Sequence, residues 1–128
     1  MRLKIAQAYS SIEYVYQKVV SFAEKHNIDH ANINIVLDEI CSNIIKYSKS
    51  DKKSCIKIDI EKYTKSILLT ISYRGVYFNP IKYSKPPSPD TVGNVGIHIV
   101  KSIANKIFYK NRKNCNILII FLPFGDII

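Results

Sequence analysis

The spacing of hydrophobic residues changes period several times along the chain, and each period predicts a different element. Leu3 and Ile5 alternate with charged residues, which predicts a short opening strand. From Ser10 to about His26 the apolar residues recur at intervals of three and four, the period of a helix. Ser10 and Glu13 form a Ser-x-x-Glu capping box at the start of this helix. The chain is therefore predicted to begin as a strand followed by an amphipathic helix.

A second helix is predicted from Asp29, a favourable N-cap residue, to about Ser48. Its apolar positions form one stripe along the helix: Ile33, Leu37, Ile40 and Ile44. The stripe predicts that one side of the helix packs on the core, and that polar residues beside the stripe lie at the edge of the core.

Strand patterns dominate the second half of the chain. Residues 56–60 alternate isoleucine with charged side chains, and residues 67–73 follow after a short polar link, so an antiparallel hairpin is predicted. Periodicity then disappears over residues 74–95, where four prolines favour a long extended loop. Loops of this length within a compact domain are often functional.

A third helix is predicted over residues 96–105, and two final strands over 106–109 and 116–122 on either side of a polar turn. This element order predicts an α/β (α+β) two-layer sandwich, in which a mainly antiparallel sheet of about five strands carries three helices on one face. The chain of 128 residues is expected to form one domain over residues 1–128.

Composition narrows the functional classes. No apolar stretch approaches the roughly 20 residues that a membrane helix needs, and no apolar signal region follows the N-terminus, so a cytoplasmic protein without a membrane partner is expected. The three cysteines, Cys41, Cys55 and Cys115, are odd in number, widely spaced and without a CxxC pair. They are expected to be reduced thiols rather than disulfides or metal ligands.

The net charge of +9 is unevenly distributed. Residues 1–45 carry 4 basic and 5 acidic side chains, whereas residues 46–128 carry 15 basic and 5 acidic ones. A basic half is typical of proteins that meet an anionic ligand, an acidic protein or a nucleic acid. Because the lysines are spread over several segments without a known recognition motif, nucleic acid is the less favoured of these partners.

Polar residues on one side of the second helix are candidates for chemistry. Glu39, Asn43 and Tyr47 recur at intervals of four, so they lie along one side of the helix next to its apolar stripe. A carboxylate there can accept a proton from a nucleophile, and an amide oxygen one turn later can ligate Mg²⁺, which prefers oxygen donors. Taken alone, such a pair is far more often a solvated or hydrogen-bonded surface pair.

A second candidate lies where the long loop meets the third helix. Gly93 and Gly96 would let the backbone approach a phosphate closely, and the first N–H groups of a helix attract anions. Asn94, between them, is the side chain that best tolerates a left-handed backbone. An ordinary helix entry after a proline-rich loop is the simpler explanation of these residues alone.

Taken in order, these features resemble the histidine-kinase-like ATPase (GHKL) superfamily, the Bergerat fold, and most closely its anti-sigma-factor serine/threonine kinase branch. Residues 37–47 are similar to the helix that carries the catalytic Glu and the Mg²⁺-binding Asn of that branch. A glycine-led segment follows at 75–80, residues 93–100 match the lid glycines and the next helix, and residues 107–122 match the closing hairpin. The resemblance covers residues 9–122.

The resemblance implies a protein kinase that uses ATP and Mg²⁺. Glu39 would orient and deprotonate the serine hydroxyl of a partner protein, and Asn43 would hold Mg²⁺. Gly93 and Gly96 would cradle the phosphates, while Gly75 would let the base lie close to the backbone. The implied partners are a small antagonist protein, which is phosphorylated, and a sigma-like transcription factor, which is sequestered; a homodimer is also compatible with the resemblance.

Tyr73 departs from the family pattern. Two positions before the glycine that matches Gly75, the family has an Asp whose carboxylate receives the adenine amino group. A tyrosine hydroxyl accepts a hydrogen bond, but it is uncharged and brings a ring into the space of the base. Losing one buried contact of this kind typically costs about 1–3 kcal/mol. Tyr47 likewise replaces a histidine that is common in the family.

Two alternatives to the kinase remain open. One is a non-catalytic protein-binding module that keeps the fold and the partner surface but has lost the nucleotide. The other is a basic nucleic-acid-binding domain, whose affinity would depend strongly on salt.

Overall fold

Five strands and three helices make up the parts of the chain that the computed structural model describes, residues 1–48, 53–82 and 95–124. The first half contains one strand and two helices, and the second half contains four strands and one helix. In chain order the elements are β1 (Arg2–Ile5), α1 (Ser10–His26), α2 (Ala31–Tyr47), β2 (Ile56–Lys62), β3 (Ile67–Arg74), α3 (Val95–Ile103), β4 (Lys106–Arg112) and β5 (Cys115–Leu122).

The strands form one sheet in the order β1-β2-β3-β5-β4, and each neighbouring pair is antiparallel. The predicted two-layer α/β sandwich with a mainly antiparallel sheet is therefore confirmed. The last hairpin is tighter than predicted, because its turn consists of Lys113 and Asn114 alone. Both residues have a left-handed backbone, with φ of 53° and 57°, which is the conformation that two-residue hairpin turns require.

The core lies between one face of the sheet and the helices. Alternate residues of β2 and β3 are buried, as the isoleucine alternation predicts, and the α2 stripe from Ile33 to Ile44 is buried against them. Cys41 of α2 is also buried, and this burial together with the charge of Asp38 raises the pKa of its thiol to about 12. All three cysteines are free thiols.

The helix starts differ from one another. The predicted capping box of α1 is wrong, because Tyr9 already has helical backbone angles and makes no side-chain cap hydrogen bond. Backbone hydrogen bonds from the N–H groups of Ser11 and Ile12 to the carbonyls of Ala8 and Tyr9 begin the helix instead. At α2 the N-cap residue is His30 rather than the predicted Asp29, but the Asp29 carboxylate still accepts a 2.9 Å hydrogen bond from the N–H of Ala31 at the helix start. Within the described ranges, no helix is long and apolar enough to cross a bilayer.

Candidate functional site

Glu39 lies on the side of α2 that faces α3, and it is half-buried. Burial raises the pKa of its carboxyl above the usual value; the nearby charge of Asp38 raises it further, and Lys46 opposes both effects. A carboxylate with a raised pKa is a better proton acceptor near neutral pH. The environment of Glu39 therefore suits a general base.

Gly96 lies in the first turn of α3, directly against the Glu39 carboxyl group. A Cβ atom at position 96 would overlap the carboxyl carbon and both oxygens of Glu39. The missing side chain at this position is what lets α3 approach α2 so closely. The structure thus brings together two of the predicted site residues that are far apart in the chain, while Gly93 and Asn94 lie outside the described residues.

Asn43 follows Glu39 by one turn of α2 and is buried, with 8% of its surface exposed. Its Nδ2 donates a 3.3 Å hydrogen bond to the carbonyl of Pro80, in the segment after β3. Its Oδ1 is a carboxamide oxygen, which is the kind of donor that Mg²⁺ prefers. One turn further along α2, Tyr47 is half-buried, and the Lys46 ammonium lies 5.9 Å from the centre of its ring.

Tyr73 fills the space at the end of β3. Only 2% of its surface is exposed, and its hydroxyl donates a hydrogen bond to the backbone carbonyl of Phe78. Burial, followed by the neighbouring Tyr109 and Tyr77, raises the pKa of this phenol well above its usual value. Its hydroxyl is therefore protonated at physiological pH and already bonded to the backbone.

Asn116 is a buried polar residue of the candidate site that was not predicted from the sequence. It lies on β5 directly opposite Tyr73 and is completely buried. Its Nδ2 donates to three backbone carbonyls at 3.2–3.3 Å: those of Tyr73, Gly75 and Val76. Its Oδ1 accepts hydrogen bonds from one backbone N–H and two side chains: those of Phe78, Tyr109 and Asn111. We call this set of hydrogen bonds, which fixes residues 73–78, the amide clamp.

A signal for the amide clamp exists in the sequence. The alternation in β5 puts position 116 on the same side as Leu118, Ile120 and Leu122, which are all buried. An amide in a buried register needs hydrogen-bond partners, and a segment with free backbone groups can supply them. Gly75 is one of those partners, and its φ of 142° is a conformation that favours glycine.

Comparison with known proteins places the chain in a family. A profile for the histidine kinase-like ATPase domain matches residues 5–122, which is most of the chain. The chain belongs to the histidine kinase-like ATPase domain family. No curated protein matches it.

Solved structures share the fold of this ATPase-like domain. The histidine kinase AdeS of Acinetobacter baumannii is 17% identical with a TM-score of 0.50, and the match covers 98% of this chain and 68% of that one. The catalytic domain of the histidine kinase ThkA is 19% identical with a TM-score of 0.50, covering 96% of this chain and 97% of that one. At such low identity these matches show a common fold alone.

The predicted nucleotide site of this ATPase-like domain fits its ligand at one end only. Where the resemblance puts the reacting groups, Glu39 and the Asn43 oxygen have suitable chemistry for a base and for Mg²⁺. Where the resemblance puts adenine, the Tyr73 ring is buried and its hydroxyl is bonded to Phe78. The residues present therefore fit a metal-bound phosphate group and do not fit the usual base contact.

Proposed function

We propose that this chain is an ATP-dependent serine/threonine protein kinase of the anti-sigma-factor type. It phosphorylates a small antagonist protein and sequesters a sigma-like transcription factor. The observation that supports this proposal is the contact between Glu39 and Gly96, because it puts the candidate base beside the start of α3. Family membership agrees with it but does not specify the substrate.

Each retained residue has a proposed task. Glu39 accepts the proton of the substrate serine hydroxyl, a task that its raised pKa favours. Asn43 holds Mg²⁺ through Oδ1 while its Nδ2 keeps the bond to Pro80. Gly96 leaves room for the Glu39 carboxylate, and Gly93 and Asn94 belong to the phosphate-binding turn by resemblance. Mg-ATP, when bound, supplies the phosphoryl group; transfer depends mostly on positioning and charge neutralisation, so few further residues are needed.

The test is a thermal unfolding series of the full chain with Mg-ATP and Mg-ADP. A nucleotide present at a hundred times its dissociation constant adds about 2.7 kcal/mol of stability, which is seen as a higher Tm. Glu39→Gln should keep this increase and lose ADP formation, because its carboxylate acts on the acceptor rather than on the phosphates. Asn43→Ala should lose the Mg²⁺-dependent part of the increase.

Asp38→Ala is the matched control, since Asp38 is the exposed neighbour of Glu39 on the same helix. It should keep both the Tm increase and most of the ADP formation. An unchanged rate of ADP formation in Glu39→Gln would remove Glu39 from the mechanism.

A second candidate function is favoured by Tyr73. We propose as the alternative a non-catalytic protein-binding module of the same fold, because the base end of the site is filled by a buried ring. Tyr73→Asp distinguishes the two functions, since it removes the ring and supplies a carboxylate. If the site is otherwise intact, affinity for Mg-ATP should rise at least about tenfold, the value of one buried hydrogen bond.

The measurement is calorimetric titration of both proteins with Mg-ATP, after circular dichroism has shown that each is folded. Tight binding by the wild type would make Tyr73 an accepted replacement for the usual Asp. No heat from either protein would mean that the domain works through protein contacts.

A further inference from the structure

The face of the sheet opposite the helices, which we call the open sheet face, carries its positive charges at one end. Lys4, Lys57 and Lys110 belong to a single row across the strands, in which Ser72 and Ile117 stand between Lys57 and Lys110. The next row contains Arg74, Cys115 and Arg112. All five cationic side chains are exposed, so this end of the face attracts anions.

No carboxylate stands in either of these two rows. The first acid along β2 is Asp59, one row away, and its carboxylate lies 3.8 Å from the Arg2 guanidinium. Five like charges within two rows repel one another unless an anion lies among them. The cationic end of the face is therefore short of counter-charge within the described residues.

The other end of the open sheet face combines an apolar group with charged side chains at its edges, namely Arg2, Asp59 and Glu61 on β1 and β2 and Lys106 on β4. Four large side chains, from β3, β4 and β5, lie in the two remaining rows: Leu68, Phe108, Ile119 and Phe121. Phe108 is 54% exposed, and its ring meets that of Phe121 edge to face, with centroids 6.4 Å apart. An exposed apolar group beside a cationic group is a frequent feature of protein-binding surfaces.

The cationic end is concave. A cavity of about 390 Å³ opens there, with four basic and two serine side chains in its wall: Lys4, Lys53, Lys57, Arg74, Ser54 and Ser72. The remaining wall residues are Cys55, Tyr73 and Cys115, so no acid lines it. Ammonium, guanidinium and hydroxyl groups are all donors, which matches the acceptor oxygens of carboxylates.

We propose that the open sheet face docks an acidic amphipathic helix of a partner protein. The helix lays its carboxylates on Lys4, Lys57, Lys110, Arg74 and Arg112, and its apolar side chains on Leu68, Phe108, Ile119 and Phe121. Four rows on this face, each two residues or about 7 Å from the next, span roughly 20 Å along the strands, which leaves room for one helix of roughly 10–12 Å diameter lying across them. The surface is separate from Glu39 and Asn43, so docking does not depend on nucleotide binding.

Charge complementarity favours this occupant, and the apolar side chains distinguish it from a nucleic acid. Between the cations lie Ser72, Ile117 and Cys115, none of which can stack on a base. The two aromatic rings lie at the other end, where Ile119 and Leu68 make an aliphatic surface suited to leucine or isoleucine side chains. A helix that lies across the strands between the five cations and the apolar group can turn its acidic side to the cations and its apolar side to Leu68, Phe108, Ile119 and Phe121.

The probe is a synthetic 20-residue peptide with a leucine stripe and a glutamate face, titrated into the ¹⁵N-labelled full chain. Backbone amide shifts should change in the five strands and leave the α1 amides unchanged. The double variant K57Q/K110Q should bind the peptide about five- to tenfold more weakly, because two exposed charge contacts are lost. Affinity should also fall as the NaCl concentration rises.

K18Q/K25Q is the matched control, since it removes the same net charge from exposed positions of α1. Binding by this control within twofold of the wild type supports the proposal, whereas an equal loss in both double variants overturns it in favour of a net-charge effect. Shift changes confined to α1 and α2 overturn it as well. So does tighter binding of a single-stranded oligonucleotide to the same cations, or a dimer in sedimentation that already buries Phe108.

Discussion

The two ends of the candidate site are packed in opposite ways. Between α2 and α3, the chain leaves a side chain out at Gly96, and the Glu39 carboxylate occupies the room. Between β3 and β5, the chain puts a large ring in at Tyr73, and the backbone around it is held by Asn116. The packing around the candidate base is thus independent of the packing at the base-binding end of the same fold.

Asn116→Ala should have the largest effect among the substitutions predicted here, a loss of stability at the base end. It removes all the hydrogen bonds of the amide clamp, although the Gly75 carbonyl keeps its bond from Asn111 and the Phe78 N–H keeps its bond to Tyr109. Each buried polar group left unpaired costs about 1–3 kcal/mol, and partial rehydration limits the sum, so a loss of about 3 kcal/mol is expected. Urea unfolding monitored by circular dichroism measures it.

Asn105→Ala serves as the control for this prediction, because the Asn105 side chain is exposed. It should change the free energy of unfolding by less than about 0.5 kcal/mol. If Asn116→Ala behaved like this control, the base end would not depend on the clamp, and the contrast between the two ends would disappear.

Gly96→Ala should have little effect on stability and a large one on turnover. The new methyl group displaces the Glu39 carboxylate, while alanine in place of glycine favours the helix by up to about 1 kcal/mol. If the proposed kinase activity is present, ADP formation should fall by roughly tenfold to a hundredfold, the cost of misplacing a catalytic group by about 1 Å. His98→Ala, an exposed substitution on the same helix, should leave the rate unchanged. A full rate in Gly96→Ala would separate Gly96 from the action of Glu39.

Asp38→Asn should produce the smallest effect, a lower pKa of Glu39. The pKa of Glu39 is raised by burial first and by the charge of Asp38 second, so neutralising Asp38 removes only the second cause. A raised pKa favours the protonated carboxyl in the folded state, and its contribution to stability is lost as the pH rises through that pKa. In the variant, the Glu39 carboxyl should therefore titrate at lower pH, and less stability should be lost as the pH rises.

Carbon-13 NMR titration of the Glu39 carboxyl measures this shift. Lys46→Gln is the opposite control, because Lys46 lowers the pKa that Asp38 raises. The two variants should move the titration in opposite directions, and no movement in either variant would assign the shift to burial alone.

The sequence predicts local periodicity well and long-range contacts poorly. The bounds of α1 and the buried isoleucines of β2 follow from spacing, because one side of each element must face the core. The capping box at Ser10 was wrong because the chain at Tyr9 already turns as a helix. The capping preference of Ser10 carries no information about the backbone angles of the residue before it.

The contacts of the candidate site also divide into local ones, which can be predicted, and long-range ones, which cannot. Glu39 and Asn43 are predictable as neighbours on one side of a helix, since their spacing is local. Their further contacts, with Gly96 and with Pro80, depend on how α3 and the segment after β3 pack, which local spacing does not specify. Asn116 was missed because its partners become visible only when β5 is placed beside β3.

The hydrogen bond from Asn43 to Pro80 links the proposed Mg²⁺ ligand to the segment after β3. The Nδ2 of Asn43 holds the segment after β3, so the direction of its Oδ1 depends on where that segment lies. Any cation that binds the oxygen must then favour the attached position of the segment, and by thermodynamic reciprocity the attached segment favours the cation to the same extent. Slower amide hydrogen exchange over residues 79–82 on adding Mg²⁺ would be the signature of this coupling.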